Sequence, residues 1–181
     1  MMKKFKAYEI QFVGLKLGKH YYDYTIDNAF FDLFEYDEFN HVDVKAHLEL
    51  EKKSTMLELT FKVEGLVNIN CDVSNEPYNQ PIEGDLKIII KFAEEYNDDN
   101  EEILYIPHGE YKIQVEQYIY ESIILAMPYK REHPGIKNGT LNSEILDKLE
   151  ELQPKIKENK EENEEIDPRW NKLKNLLNEN K

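Results

Sequence analysis

The side chains best suited to metal or nucleophilic chemistry are Cys71 and five histidines: His20, His41, His47, His108 and His133. A structural zinc site takes four nitrogen or sulfur ligands at short spacings. A catalytic thiol needs an open, electropositive setting. Neither pattern is present. The histidines fall in separate segments without ligand spacing, and Asp72 beside Cys71 works against a thiolate. No phosphate-cradling glycine loop, nucleophile elbow or HExxH occurs. Carboxylates are numerous but unpatterned. The densest run, "EEYNDDNEE" from Glu94 to Glu102, lacks the glycine and the spacing of a calcium loop, and reads as a solvated acidic loop. No residue is assigned a catalytic or metal-binding role, and no cofactor is implied.

Charge limits the partners. The chain has 181 residues, with 23 Lys and Arg against 37 Asp and Glu and a formal charge of −14. The 15 basic and 26 acidic residues before Leu141 give −11; the 8 and 11 from Leu141 onward give −3. An acidic body repels a phosphate backbone and attracts a basic protein. No stretch approaches the length of a membrane span. With one cysteine and no apolar leader, a cytoplasmic protein with neither membrane nor DNA as partner is expected.

Several elements must carry these residues. From Leu57 to Val73 every odd position is apolar or glycine while the even positions are mostly polar, which predicts a long half-buried antiparallel strand that bends or bulges at Gly65. Cys71 lies on its apolar phase and reads as a buried structural cysteine. Val42 to Leu50 alternates likewise, and the short connector "EKKS" joins the two runs as a hairpin. After a turn around Asn75 to Pro81, Ile82 to Phe92 alternates again. Shorter strands are predicted at Tyr8–Phe12, Tyr22–Ile26, Ile103–Ile106 and Tyr111–Ile113. "DNAFFDLF" predicts a short helix capped by Asp27, with Phe30, Leu33 and Phe34 on one side. "VEQYIYESIILAM" predicts a longer one with Val115, Tyr118, Ile119, Ser122, Ile123, Ala126 and Met127 as its apolar stripe, ended by Pro128. Glu121 lies among apolar neighbours on it.

The expected fold is α+β: an antiparallel β sandwich or partly closed barrel with one long and one short packed helix. The sheet domain spans 1–140, a helix 141–154 with Ile145, Leu149 and Leu152 on one face, a charged flexible linker 155–165, and a C-terminal amphipathic docking helix 166–178. In "IDPRWNKLKNLL", Asp167 caps the last helix and Pro168 takes its first position. Ile166, Trp170, Leu173 and Leu177 form a narrow apolar stripe flanked by Arg169, Lys172 and Lys174. Asp167, Pro168, Arg169, Trp170, Leu173 and Leu177 are therefore the candidate partner-binding residues. Such a helix either docks on a partner or folds back on its own sheet.

In order, "GLVNINCDVSNEPYNQPIEGDLKI", "DDNEEILYIPHGEYKI", "EQYIYESIILAMPYKREHPG" and "IDPRWNKLKNLL" resemble the YceD family of bacterial and plastid proteins, named for large-subunit ribosomal RNA accumulation, and in particular its Bacteroidetes-type members. On that resemblance Cys71, Asn75, Pro77, Glu121 and Pro128 are family-motif residues. Many members carry Cys-x-x-Cys where this chain reads Cys71-Asp72-Val73-Ser74, and a further cysteine cluster where it reads "PYKREHPGIKNG". Cys71 and His133 alone do not complete a zinc site, so packing must hold the fold. The resemblance implies a non-catalytic ribosome biogenesis factor supporting 23S rRNA synthesis, processing or accumulation. In the family it resembles, the gene commonly lies beside that of a small basic large-subunit protein. The expected partner is a ribosomal protein or large-subunit assembly intermediate, with contact to rRNA indirect. The alternative is a direct RNA-binding sheet that stacks bases on exposed tyrosines; Tyr22 and Tyr24, in phase with Ile26, point instead to the core. A small-ligand carrier would need a closed barrel with an apolar cavity.

Overall fold

A computed structural model describes residues 5–100, 102–141 and 144–152. Its centre is a pair of long antiparallel strands, β3 (His41–Lys52) and β4 (Met56–Asn70), paired in unbroken register from His41↔Asn68 to Lys52↔Leu57. Strict alternation makes one face of both strands apolar: Val42, Val44, Ala46, Leu48 and Leu50 meet Leu57, Leu59, Phe61, Val63 and Val67, all buried. β2 (Gly18–Ile26) adds to the free side of β3, and β5 (Pro77–Ala93) to the free side of β4. β1 (Glu9–Gln11) pairs with β8 (Lys112–Gln114) as a separate two-stranded ribbon. Lys52 holds the loop after β1 by donating to the carbonyls of Phe12, Val13 and Leu15 at 2.9, 3.2 and 2.9 Å.

The sheet corrects three expectations. It is not all-antiparallel, and in place of a partly closed barrel it is an open mixed sheet: with β6 (Asn97–Asn100) the six strands run β2-β3-β4-β5-β7-β6, and β7 (Ile103–Pro107) lies parallel to β5. The acidic run is not a plain loop. Asn97–Asn100 forms β6, a fully exposed edge strand, and β7 returns from it to sit between β6 and β5. Glu101 lies outside the described residues. β5 also starts earlier than its apolar run, because residues expected in a turn pair with β4 from Pro77↔Asn70 onward. Among the described residues the side of β5 away from β4 is unpaired until Ile89, and such an edge tolerates Pro77 and Pro81.

The helices cover the apolar face. Asp27 caps α1 (Asn28–Phe31), its carboxylate accepting the Phe30 amide at 3.2 Å, and a 3-10 turn (Asp32–Phe34) follows. That tighter turn buries Phe30 and Phe31 rather than Leu33. α2 (Glu116–Ala126) packs on β4 and β5 through Ile119, Ser122 and Ile123. Its last turn comes so close to β5 that a Cβ on Gly84 would stand 2.8 Å from that of Ala126. α3 (Pro134–Lys137) is a single turn. The chain divides after Ser143. In the second unit, α4 (Glu144–Leu152) carries Ile145, Leu149 and Leu152 as exposed apolar residues. The expected linker 155–165 and docking helix 166–178, with all its partner-binding residues, lie outside the described residues.

Candidate functional site

The family-motif residues fall into two places. Cys71 begins a tight turn between β4 and β5. Its sulfur, 3% exposed as a residue, accepts the amides of Val73 at 3.4 Å, Ser74 at 3.5 Å and His133 at 3.2 Å. Asn75 closes the turn in the left-handed region, φ 58°, where asparagine is among the better-tolerated residues; its amide donates to the Cys71 carbonyl at 2.9 Å. Pro77 then opens β5. The segment after α2 docks on this turn: Asp72 donates its amide to the Arg131 carbonyl at 2.8 Å, and its carboxylate accepts the Arg131 amide at 3.0 Å. The Arg131 guanidinium reaches Glu38 at 2.9 Å and holds that carboxyl below its usual range, helped by the Tyr36 hydroxyl. Pro128 follows the extended Met127 that ends α2, steering the chain into this docking.

This turn does not fit a tetrahedral metal. Ser74 stands where a second thiol would be needed, and the His133 Nδ1 already accepts the Gly135 amide at 2.9 Å. Among the described residues no three His, Cys, Asp or Glu side chains group as a metal site. Burial works to raise the Cys71 thiol pKa; hydrogen bonds from the Ser74 side chain and the His133, Ser74 and Val73 amides outweigh it and lower it. The sulfur acts as a hydrogen-bond hub that ties the two segments together.

Glu121 is elsewhere, on the exposed flank of α2, where it accepts from Gln117 at 2.8 Å. It lines a groove of about 580 Å³ between α2 and the β5-β7-β6 side of the sheet. Leu86 and Ile88 of β5, Leu104 of β7 and Tyr118, Ile124 and Leu125 of α2 supply its apolar lining; Tyr96, Asp98 and Glu121 supply polar groups. Leu125 is 73% exposed. Past Tyr96, Leu104, Gln117 and Tyr118 a second depression of about 480 Å³ continues it, lined also by Glu110, Lys112 and Glu116. Burial, with the charges of Tyr96, Glu121 and Asp98, pushes the Tyr118 phenol up to about 12. Glu116 is buried, and among the described residues its Oε2 has no hydrogen-bond partner. Burial raises its carboxyl pKa; its own amide opposes this, and the charge of Glu9 adds to it.

The apolar stripe read from the sequence leaves out Ile124, Leu125 and Glu116. An acid in a first helical turn has an ordinary reading as a partner of the helix dipole, so no local signal marks Glu116. An uncovered Ile-Leu pair beside the stripe is the one available hint of a groove.

The opposite face of the sheet is polar. Asp23, Asp43, Glu49, Glu51, Glu58, Glu64, Glu83 and Asp85 share it with Lys19, Lys45, Lys62, Lys87 and Lys91. Lys19 pairs with Glu49 at 2.7 Å and Lys87 with Glu58 at 3.4 Å. The exposed His47 contacts Asp23 at 2.5 Å. Of the aromatics on the four long strands, Tyr21 alone faces outward, while Tyr22 and Tyr24 pack against the core.

The motif turn, the groove and the terminal segment lie within one stretch of family similarity. A family model described as large ribosomal RNA subunit accumulation protein YceD matches residues 59–177. The chain belongs to the YceD family. Neither a curated protein nor a solved structure matches it. The YceD match begins within β4, so β1, β2 and β3 precede it, while the Cys71 turn and the groove lie inside it. The YceD description names a role in accumulation of large-subunit rRNA and no reaction. No helix among the described residues is long and apolar enough to cross a membrane.

Proposed function

We propose that this chain is a non-catalytic ribosome biogenesis factor that supports 23S rRNA synthesis, processing or accumulation in the cytoplasm by binding a basic ribosomal protein or large-subunit assembly partner. The observation that carries this reading is the charge of the outer sheet face, where acids outnumber lysines and Lys19 and Lys87 already have carboxylate partners. Such a surface attracts a basic protein and repels phosphate, and complementary potentials raise encounter rates. Against the alternative of direct RNA binding, the four long strands present one outward aromatic, Tyr21, where a sheet that reads RNA stacks two or three bases. Contact with rRNA is then made through the partner. The terminal segment with Asp167, Pro168, Arg169, Trp170, Leu173 and Leu177 supplies a second, tethered contact that raises the local concentration of the first.

The test is binding of the purified full chain to individual purified large-subunit ribosomal proteins and, separately, to 23S rRNA over a salt series. Binding to one or a few basic proteins, with rRNA retained only in their presence, supports the reading. Direct rRNA binding with a steep salt slope overturns it in favour of the RNA-binding sheet.

A further inference from the structure

The groove beside α2 joins two features that a folded protein ordinarily avoids. One is exposed apolar surface, with Leu125 at the rim and Leu86, Ile88 and Leu104 within. The other is the carboxylate of Glu116, nine-tenths buried, with Oε2 unpaired among the described residues. Burying an ionised group without a partner is costly, and a cation supplied to it removes that cost. The cation that lines the same depression, Lys112, is already taken by Glu9 at 2.7 Å. The other charged groups lining the groove, Asp98, Glu110 and Glu121, are all acidic. A neutral apolar ligand would leave Glu116 unsatisfied, and a phosphate-bearing one would meet four carboxylates. The complementary occupant has apolar side chains and positive charge on one short segment.

We propose that this groove docks a Lys- or Arg-rich amphipathic segment of a basic protein, its apolar side chains on Leu86, Ile88, Leu104 and Leu125 and one cationic side chain paired with Glu116. This rests on the reading above that the partner is a basic protein, and names the surface that takes it. Asp98, Glu110 and Glu121 steer the segment; Glu116 fixes its register, because it is the buried carboxylate of the set.

Fluorescence anisotropy of the full chain with labelled synthetic peptides tests this. One peptide places Lys and Leu on opposite faces of a helix, one scrambles that order, and one replaces Lys by Glu. The first should bind at least about tenfold more tightly than the other two. Glu116→Gln should weaken it by about thirtyfold or more, the scale of losing one partner of a buried charge pair, and Leu125→Ser should also weaken it. Glu76→Gln, in the exposed turn before β5 and outside both the groove and the outer sheet face, removes the same charge and should change binding by less than about twofold. Glu116→Gln should also leave the free chain at least as stable as the parent, which separates lost docking from lost folding. Equal effects of Glu116→Gln and Glu76→Gln, with binding to basic ribosomal proteins retained, would overturn the groove and leave the basic-partner reading standing. No binding of the amphipathic peptide or of any basic ribosomal protein would overturn both. A red shift of the emission of Trp170, either on groove-disrupting Leu125→Ser or on peptide addition, would assign the groove to the chain's own terminal segment. Sedimentation as a dimer that the peptide dissociates would assign it to a second copy.

Discussion

Gly65 of β4 lies directly opposite Val44 of β3, and a Cβ on it would stand 2.7 Å from the Val44 Cα and 2.3 Å from the Asp43 carbonyl oxygen. Its φ of 157° is also one that L side chains rarely adopt. Backbone atoms cannot yield as a flexible side chain would. Gly65→Ala should therefore cost on the order of 3 kcal/mol through strain and overpacking. Denaturant unfolding measures it; a loss below about 0.5 kcal/mol would mean that the two strands separate there freely.

Cys71 is expected to matter through the amides it accepts. Cys71→Ala strands the Val73, Ser74 and His133 amides and should cost roughly 1–3 kcal/mol, while Cys71→Ser keeps an acceptor and should cost less. Urea midpoints of the two variants decide it, and equal losses would mean that sulfur volume rather than hydrogen bonding is what counts. Partner binding should survive in both.

Glu116 should give stability an unusual pH dependence. Burial raises its pKa in the fold, so the unfolded chain releases this proton first. The contribution to stability is fully present below the unfolded pKa, falls as pH rises through it, and is lost above the folded pKa. Comparing the pH dependence of unfolding in the parent and in Glu116→Gln isolates this effect: the variant should gain stability relative to the parent as pH rises from the acid range. A parallel pair of curves would show that Glu116 finds a partner in solution.

Amide replacement of Glu94, Glu95, Asp98, Asp99, Glu101 and Glu102 should separate charge from folding. β6 is fully exposed, so each change should move stability by no more than about 0.5 kcal/mol. Partner binding should weaken and lose part of its salt sensitivity. Circular dichroism melting and a salt series of binding measurements test the two halves; a large drop in Tm with binding intact would make the acidic run structural.

Trp170 should act as a binding anchor. Trp170→Ala is expected to weaken partner binding by about 2 kcal/mol or more with little change in stability. Isothermal titration and thermal melting distinguish this from packing on the chain's own sheet, where stability would fall first.

The period-two runs of β3 and β4, the Asp27 cap and the stop at Pro128 are legible in the sequence because each depends only on residues close along the chain. A strand's two faces follow from its own alternation whichever strand lies beside it. The pairing partner does not. That β7 inserts between β5 and β6, parallel to β5, depends on contacts made after the chain has reversed twice, and this turned an acidic run into an edge strand. The close approach of Ala126 to Gly84 likewise exists only once α2 lies on β5. The same holds for the site. Glu121 and Pro128 are recognisable by type, but Glu116 reads locally as an ordinary first-turn acid. Its isolation was decided by its burial in the fold and by Glu9, which holds Lys112 of the same depression. Propensity and periodicity are carried by the chain itself; burial and unmet charge are set by whatever the fold places opposite.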